Sequence, residues 1–125
     1  ATGYILIGSD SITSAEFMSN TRPIPKDKPA IAVAHALAAE YLGMHMVYLD
    51  AGSGARPPVP ETMVESVSDN VSIPIIVGGG IRSPKVAQEK VQAGAGFVVT
   101  GTIHEEQASP SLIREFADAI HKNLG

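Results

Sequence analysis

Val77-Gly78-Gly79-Gly80-Ile81-Arg82-Ser83-Pro84 joins an apolar run to a helix start through three glycines. Ahead of it, Pro74-Ile75-Ile76-Val77-Gly78 reads as a short strand buried on both faces, with Gly79-Gly80 ending it. Behind it, Ser83 is placed to cap a helix whose first position is Pro84, where a missing N–H costs nothing. A strand running through bare glycines into a helix leaves backbone N–H groups open to an anion. The helix adds its positive end. A tight turn needing positive φ would also explain the glycines, but a second rim of the same kind follows one unit later and favours phosphate.

That second rim is Thr100-Gly101-Thr102, at the end of a strand read as Phe97-Val98-Val99-Thr100-Gly101. The helix between the two rims stops at Ala93-Gly94. Ser109-Pro110 repeats the cap-plus-proline signal. The final helix carries an apolar face of Leu112, Ile113, Phe116, Ala117, Ile120 and Leu124. Upstream, Met46-Val47-Tyr48-Leu49 is a strand followed by Asp50 and the small loop Ala51-Gly52-Ser53-Gly54-Ala55, then a helix from Glu61 to about Asn70 whose face is Met63, Val64 and Val67. An earlier helix starts at Asp27 or Lys28 with Pro29 in its first turn. Ile31, Ala34, Leu37, Ala38, Tyr41 and Leu42 share a face at helical spacing, and Gly43 stops the helix. Tyr4-Ile5-Leu6-Ile7-Gly8 opens the series as another buried strand. The long polar connection from Ser9 to Lys28 is expected to hold a helical turn near Ser14–Met18.

The order is strand then helix, four times over, which means a parallel α/β sheet with right-handed crossovers. A doubly wound open sheet and half of a (β/α)8 TIM barrel, whose full form is ~250 residues, both fit this order. The loops decide between them. From Met46 onward each strand ends in a polar or glycine-rich loop, as at the active rim of a barrel, and phosphate commonly sits after its last two strands. Gly8-Ser9-Asp10 does not match the dinucleotide fingerprint, and no P-loop occurs. Residues 1–125 are therefore read as one unit, the C-terminal half of a phosphate-binding barrel.

Composition agrees with this. The chain has 125 residues, 44% hydrophobic and 18% charged, with a formal net charge of −4. Its nine Lys and Arg residues are scattered, which sets nucleic acid aside as a partner. Cysteine is absent, so disulfides, thiolate nucleophiles and zinc–thiolate sites are excluded. No charged-then-apolar leader opens the sequence and no apolar run approaches ~18 residues, so neither a signal peptide nor a membrane span is expected, and a cytoplasmic location is. The opening Ala1-Thr2-Gly3 lacks Met and points to a fragment or a processed product.

Period-two alternation puts Tyr48 and Asp50 on one side of their strand, at its C-terminal end. Asp50 there can act as a general base or orient a hydroxyl, although an Asx turn is the structural alternative. Tyr48 reads equally well as a core aromatic. Ser53 and the amides near Gly52 and Gly54 add phosphate or hydroxyl contacts. His35, His45, His104 and His121 do not pair at metal-ligand spacing and are read as structural or solvated, like His104-Glu105-Glu106 as a whole. Arg82 is a candidate phosphate partner or a surface residue, and Asp10 a weaker substrate or metal contact. No acidic pair typical of diphosphate–Mg2+ sites appears.

The stretches Tyr48–Gly54 (YLDAGSG), Val77–Ser83 (VGGGIRS), Gly94–Thr102 (GAGFVVTGT), Arg22–Lys26 and Glu40–Gly43 together resemble the geranylgeranylglyceryl phosphate synthase family, over about Tyr4 to Glu106. The resemblance implies a barrel prenyltransferase. It would transfer a geranylgeranyl group from geranylgeranyl diphosphate to the C3 hydroxyl of sn-glycerol 1-phosphate in archaeal ether-lipid biosynthesis, with Mg2+ on the diphosphate. By the same resemblance Gly79, Gly80, Gly101, Thr102, Ser53 and Gly54 bind the glycerol phosphate and Tyr48 contacts the glycerol. Leu49, Ala51 and Gly52 belong to the same binding stretch. Asp50 is the base or hydroxyl-orienting acid, where the family usually has Glu. The family's Mg2+ ligands lie in the N-terminal half of its barrel, so no metal ligand is assigned in this chain.

A half-barrel exposes two sheet edges and an apolar flank. The chain is therefore expected to pair with an N-terminal half or with a second copy of itself, as a homo-oligomer. Two other readings share the phosphate rim: a barrel isomerase or aldolase acting on a phosphorylated sugar or amine, and a non-catalytic phosphate-binding half-barrel.

Overall fold

The computed structural model describes residues 2–8, 23–52, 57–100 and 110–121, with the side chain of Leu112 excepted. The expected turn near Ser14–Met18, and Asp10, Arg22, Ser53, Gly54, Gly101, Thr102 and His104, lie outside the described residues.

Among the described residues four strands and four helices alternate: β1 (Thr2–Leu6), α1 (Pro29–Tyr41), β2 (Met46–Asp50), α2 (Glu61–Asn70), β3 (Ile75–Gly78), α3 (Pro84–Ala93), β4 (Phe97–Val99) and α4 (Pro110–His121). The strands form one sheet in chain order, β1-β2-β3-β4, each pair parallel. This is the half-barrel expected from the order of elements. The first strand begins two residues earlier than its apolar run, and the last stops two residues before Gly101. Beyond β1, Ile7 makes a parallel bridge with Ile24, and Gly8 N–H donates to the Ile24 carbonyl at 2.7 Å. The chain thus returns from its long connection to cover the outer edge of β1 at its C-terminal end.

The two faces of the sheet differ. Ile5, Val47, Leu49, Ile75 and Val77 point to the helices and join Ala32, Ala36, Ala39, Met63, Val64, Val67 and Ala87 in one buried core. Met63, Val64 and Val67 are fully buried, as their spacing predicts. Each such burial is worth about 1.5–3 kcal/mol. On the other face the register aligns Tyr4, Tyr48, Ile76 and Phe97 in one row, and Leu6, Asp50, Gly78 and Val99 in the next. In a barrel this is the interior face. Tyr4, Phe97 and Val99 are exposed on it, and Tyr48, Asp50 and Ile76 are half-buried.

Helix α1 corrects the sequence reading. Its buried residues are Ala32, Ala36 and Ala39, whereas Ile31, Ala34, Ala38, Tyr41 and Leu42 are exposed and Leu37 is half-buried. The cause is close approach. A Cβ built on Gly3 of β1 would stand 2.8 Å from the Ala39 Cβ. The helix backbone lies so near the strand that only methyl groups fit between them, and the larger apolar residues turn outward. In α4, Phe116 is buried and Ile120 packs on the core, but Ile113 is exposed. The side chains of Leu112 and Leu124 lie outside the described residues.

Candidate functional site

The candidate site is built where β2 and β3 end. Asp50 closes β2, and its Oδ1 accepts from the Gly52 N–H at 2.8 Å. This is the Asx turn that the residue type allows. It turns the chain off the strand, and Gly52 completes the turn at φ 88°. The turn occupies one carboxylate oxygen. The other, Oδ2, accepts from the hydroxyl of Tyr4 on the neighbouring strand. Register makes this reachable, since Tyr4 pairs with Tyr48 and Leu6 with Asp50, so the phenol leans one pair along the strand. The Tyr4 and Tyr48 rings lie against each other, centroids 5.6 Å apart and tilted by 35°.

Burial, the hydrogen bond to Asp50 and that carboxylate's charge push the Tyr4 phenol far above its usual range. Burial and the Asp50 charge raise Tyr48 as well. At neutral pH both are therefore protonated hydroxyls able to donate, not phenolates.

The three glycines after Val77 have different jobs. Gly78 is bare because the Tyr48 hydroxyl occupies the space of a side chain there, and Val99 Cβ would stand 3.0 Å from an added Cβ. Gly79 needs glycine twice over: its φ is 84°, and a Cβ would run into the Gly52 carbonyl oxygen, with Gly52 C and N each at 2.9 Å. Gly80 is also left-handed, at φ 74°. The Asp50 turn and the glycine run are thus packed together as one rim, with the Ala51 N–H donating to the Gly78 carbonyl at 3.1 Å. Below the rim Ser83 caps α3, its Oγ accepting from the Val86 N–H at 3.2 Å. Bare amides and a capped helix start beside a carboxylate can hold an anion at one end and a hydroxyl at the other.

Of the residues singled out in the sequence, Tyr48, Asp50, Gly52, Gly79 and Gly80 meet at this rim. Leu49 and Ala51 do not contribute side chains to it. Alternation turns both toward the helices, where they are buried in the core, so backbone alone remains for a ligand there. Arg82, His35, His45 and His121 are exposed. Tyr4 was missed, because a run of apolar residues hides which of them faces the rim. A second feature was missed: Lys90 is buried (2% exposed) and pairs with Glu61 at 3.0 Å between α3 and α2. The adjacent groove, about 520 Å³, is lined by Glu61, Glu65, Glu89, Gln92 and Ala93. Its carboxylates would repel a phosphate, so the strand-end rim is the better anion site. Among the described residues no three His, Cys, Asp or Glu side chains come together to hold a metal ion. No described helix is long and apolar enough to cross a membrane.

Comparison with known proteins agrees with the fold. The PcrB family pattern matches residues 1–120. Geranylgeranylglyceryl phosphate synthase of Chitinophaga pinensis is 50% identical over 121 residues, covering 97% of this chain and 47% of that protein. The enzyme of the same name from Pyrococcus furiosus is 53% identical over 111 residues, 89% of this chain and 44% of its own length. Among solved structures, (S)-3-O-geranylgeranylglyceryl phosphate synthase from Thermoplasma acidophilum, in complex with substrate sn-glycerol-1-phosphate, superposes with a TM-score of 0.90 at 36% identity, covering 97% of this chain and 49% of that one. The chain spans about half the length of the relatives it matches.

Proposed function

Because this chain belongs to the PcrB family, we propose that it is the acceptor-binding half of a prenyltransferase that joins sn-glycerol 1-phosphate to the geranylgeranyl group of geranylgeranyl diphosphate. The observation that carries this reading is the single rim in which the Asp50 carboxylate and the left-handed Gly79-Gly80 run are packed together through Gly52. A Thermoplasma relative holding sn-glycerol-1-phosphate shares this fold at 36% identity. In this reading the phosphate lies against the glycine amides near the start of α3, with Ser53, Gly54, Gly101 and Thr102 adding to the cradle.

The glycerol end then faces Tyr48 and Asp50. Asp50 takes the proton of the C3 hydroxyl as its oxygen bonds to C1 of the prenyl group. The C1–O bond to diphosphate breaks, and diphosphate leaves with the electron pair. Mg2+, which would neutralise that leaving group, and most of the prenyl pocket belong to the remainder of the barrel. That remainder, or a second copy of this chain, covers the exposed interior face.

Calorimetric titration of sn-glycerol 1-phosphate into the chain, beside a Gly80→Asp variant, tests the acceptor half of the reading. A carboxylate at Gly80 repels the phosphate and blocks amide approach, so saturable binding lost in the variant is expected. Equal binding by a folded Gly80→Asp variant would move the phosphate site elsewhere.

A further inference from the structure

Asp50 is gripped at both oxygens. The Gly52 N–H bond to Oδ1, at 2.8 Å, is local to the turn and comes with it. The Tyr4 bond to Oδ2 is of another kind, since it crosses from β1 to β2 and joins residues 46 apart in the chain. Tyr4 stands on the interior face of the sheet, 56% exposed in this chain. Its ring stands against Tyr48, and its hydroxyl is directed at the carboxylate.

A carboxylate has about four acceptor positions, so after these two bonds each oxygen still has a lone pair for a ligand hydroxyl. Held only by the turn, the carboxylate could swing its second oxygen. Held by Tyr4 as well, it is fixed in plane and direction before the ligand arrives. We infer that Tyr4 is a positioning residue: it acts through Asp50 to aim the free lone pairs at the hydroxyl end of the acceptor, leaving the phosphate end to the glycine rim. This inference rests on the reading of the rim as a glycerol phosphate site. The raised value of the Tyr4 phenol supports it, because the hydroxyl keeps its proton and remains a donor across the working pH range.

The two ends of the ligand separate the effects. Wild type, Tyr4→Phe, Asp50→Asn and the double variant are each titrated with sn-glycerol 1-phosphate and with inorganic phosphate. Tyr4→Phe is expected to weaken glycerol phosphate binding about tenfold, the scale of one hydrogen bond to a charged group. Inorganic phosphate should bind it as it binds wild type. In the Asp50→Asn background the same Tyr4→Phe change should have no further effect, because the residue works through that carboxylate.

Unchanged glycerol phosphate affinity in Tyr4→Phe would overturn the inference while leaving the proposed function intact. So would equal weakening of both ligands, which marks a structural role, and so would a Tyr4→Phe effect that persists in Asp50→Asn. Wild type binding neither ligand would overturn the site reading itself, and the inference with it.

Discussion

Two glycines with nearly the same backbone angle allow the packing of the rim to be measured. Gly43 has φ 85° and Gly79 has φ 84°. An alanine in this region costs about 1–2 kcal/mol at either position, offset by about 0.4–1 kcal/mol from the reduced freedom of the unfolded chain. These contributions cancel in the difference between Gly79→Ala and Gly43→Ala. What remains is contact. An added Cβ at Gly43 meets nothing within 4 Å, whereas at Gly79 it meets the Gly52 carbonyl, with Gly52 C and N at 2.9 Å. These are backbone atoms with no rotamer to escape into, and overpacking of this kind typically costs about 1–3 kcal/mol. Gly79→Ala should therefore be less stable than Gly43→Ala by about 2 kcal/mol. In urea, with a slope of about 2 kcal/mol per M, that is a midpoint lower by about 1 M. Equilibrium unfolding followed by circular dichroism reads the shift. Equal midpoints for the two variants would refute the claim that the β2 and β3 loops are packed backbone to backbone.

The buried pair between α2 and α3 should respond asymmetrically. Lys90 is 2% exposed and Glu61 46%, so Glu61→Ala strands a buried ammonium at a cost of about 2–3 kcal/mol, below the 3–5 of a fully buried pair because Glu61 is already half in water. Lys90→Met keeps the apolar stem, frees a carboxylate that water can solvate, and should cost under about 1 kcal/mol; urea midpoints showing the reverse order would refute this. The backbone N–H of Glu61 at the helix start, and then Lys90, hold its carboxyl below the ordinary 4.5. Its contribution is thus present above pH 4.5 and lost as pH falls through the lower folded value, and the acid-side loss of stability should be shallower in Glu61→Ala than in wild type. Ser83→Ala removes the cap of α3 and should cost about 1 kcal/mol by the same assay, against no change for a change at an exposed site such as Lys85→Ala.

The elements were legible because their signals are local. Ser83-Pro84 fixed the start of α3, Gly43 and Gly94 marked helix ends, and the spacing of Met63, Val64 and Val67 marked the buried face of α2. Helix α1 was misread for a physical reason. It is apolar on more than one face, and the choice between faces is made by Gly3, on a strand whose distance from the helix no local pattern reveals. Tyr48 and Asp50 could be placed on one side by alternation within a single strand. Tyr4 could not be joined to them, because that requires the register between β1 and β2. Lys90 was hidden in the same way: it lies in a polar helix, and its burial depends on Glu61 in another.

The strand order has a consequence for how such a chain is made. In β1-β2-β3-β4 no strand lies between two that precede it. A sheet of this kind can be laid down in the direction of synthesis, each arriving βα unit adding to an edge already formed and never being threaded into a gap. An open-sheet order that reverses direction would keep one edge waiting while the other grew. Here the growing edge is always the newest strand.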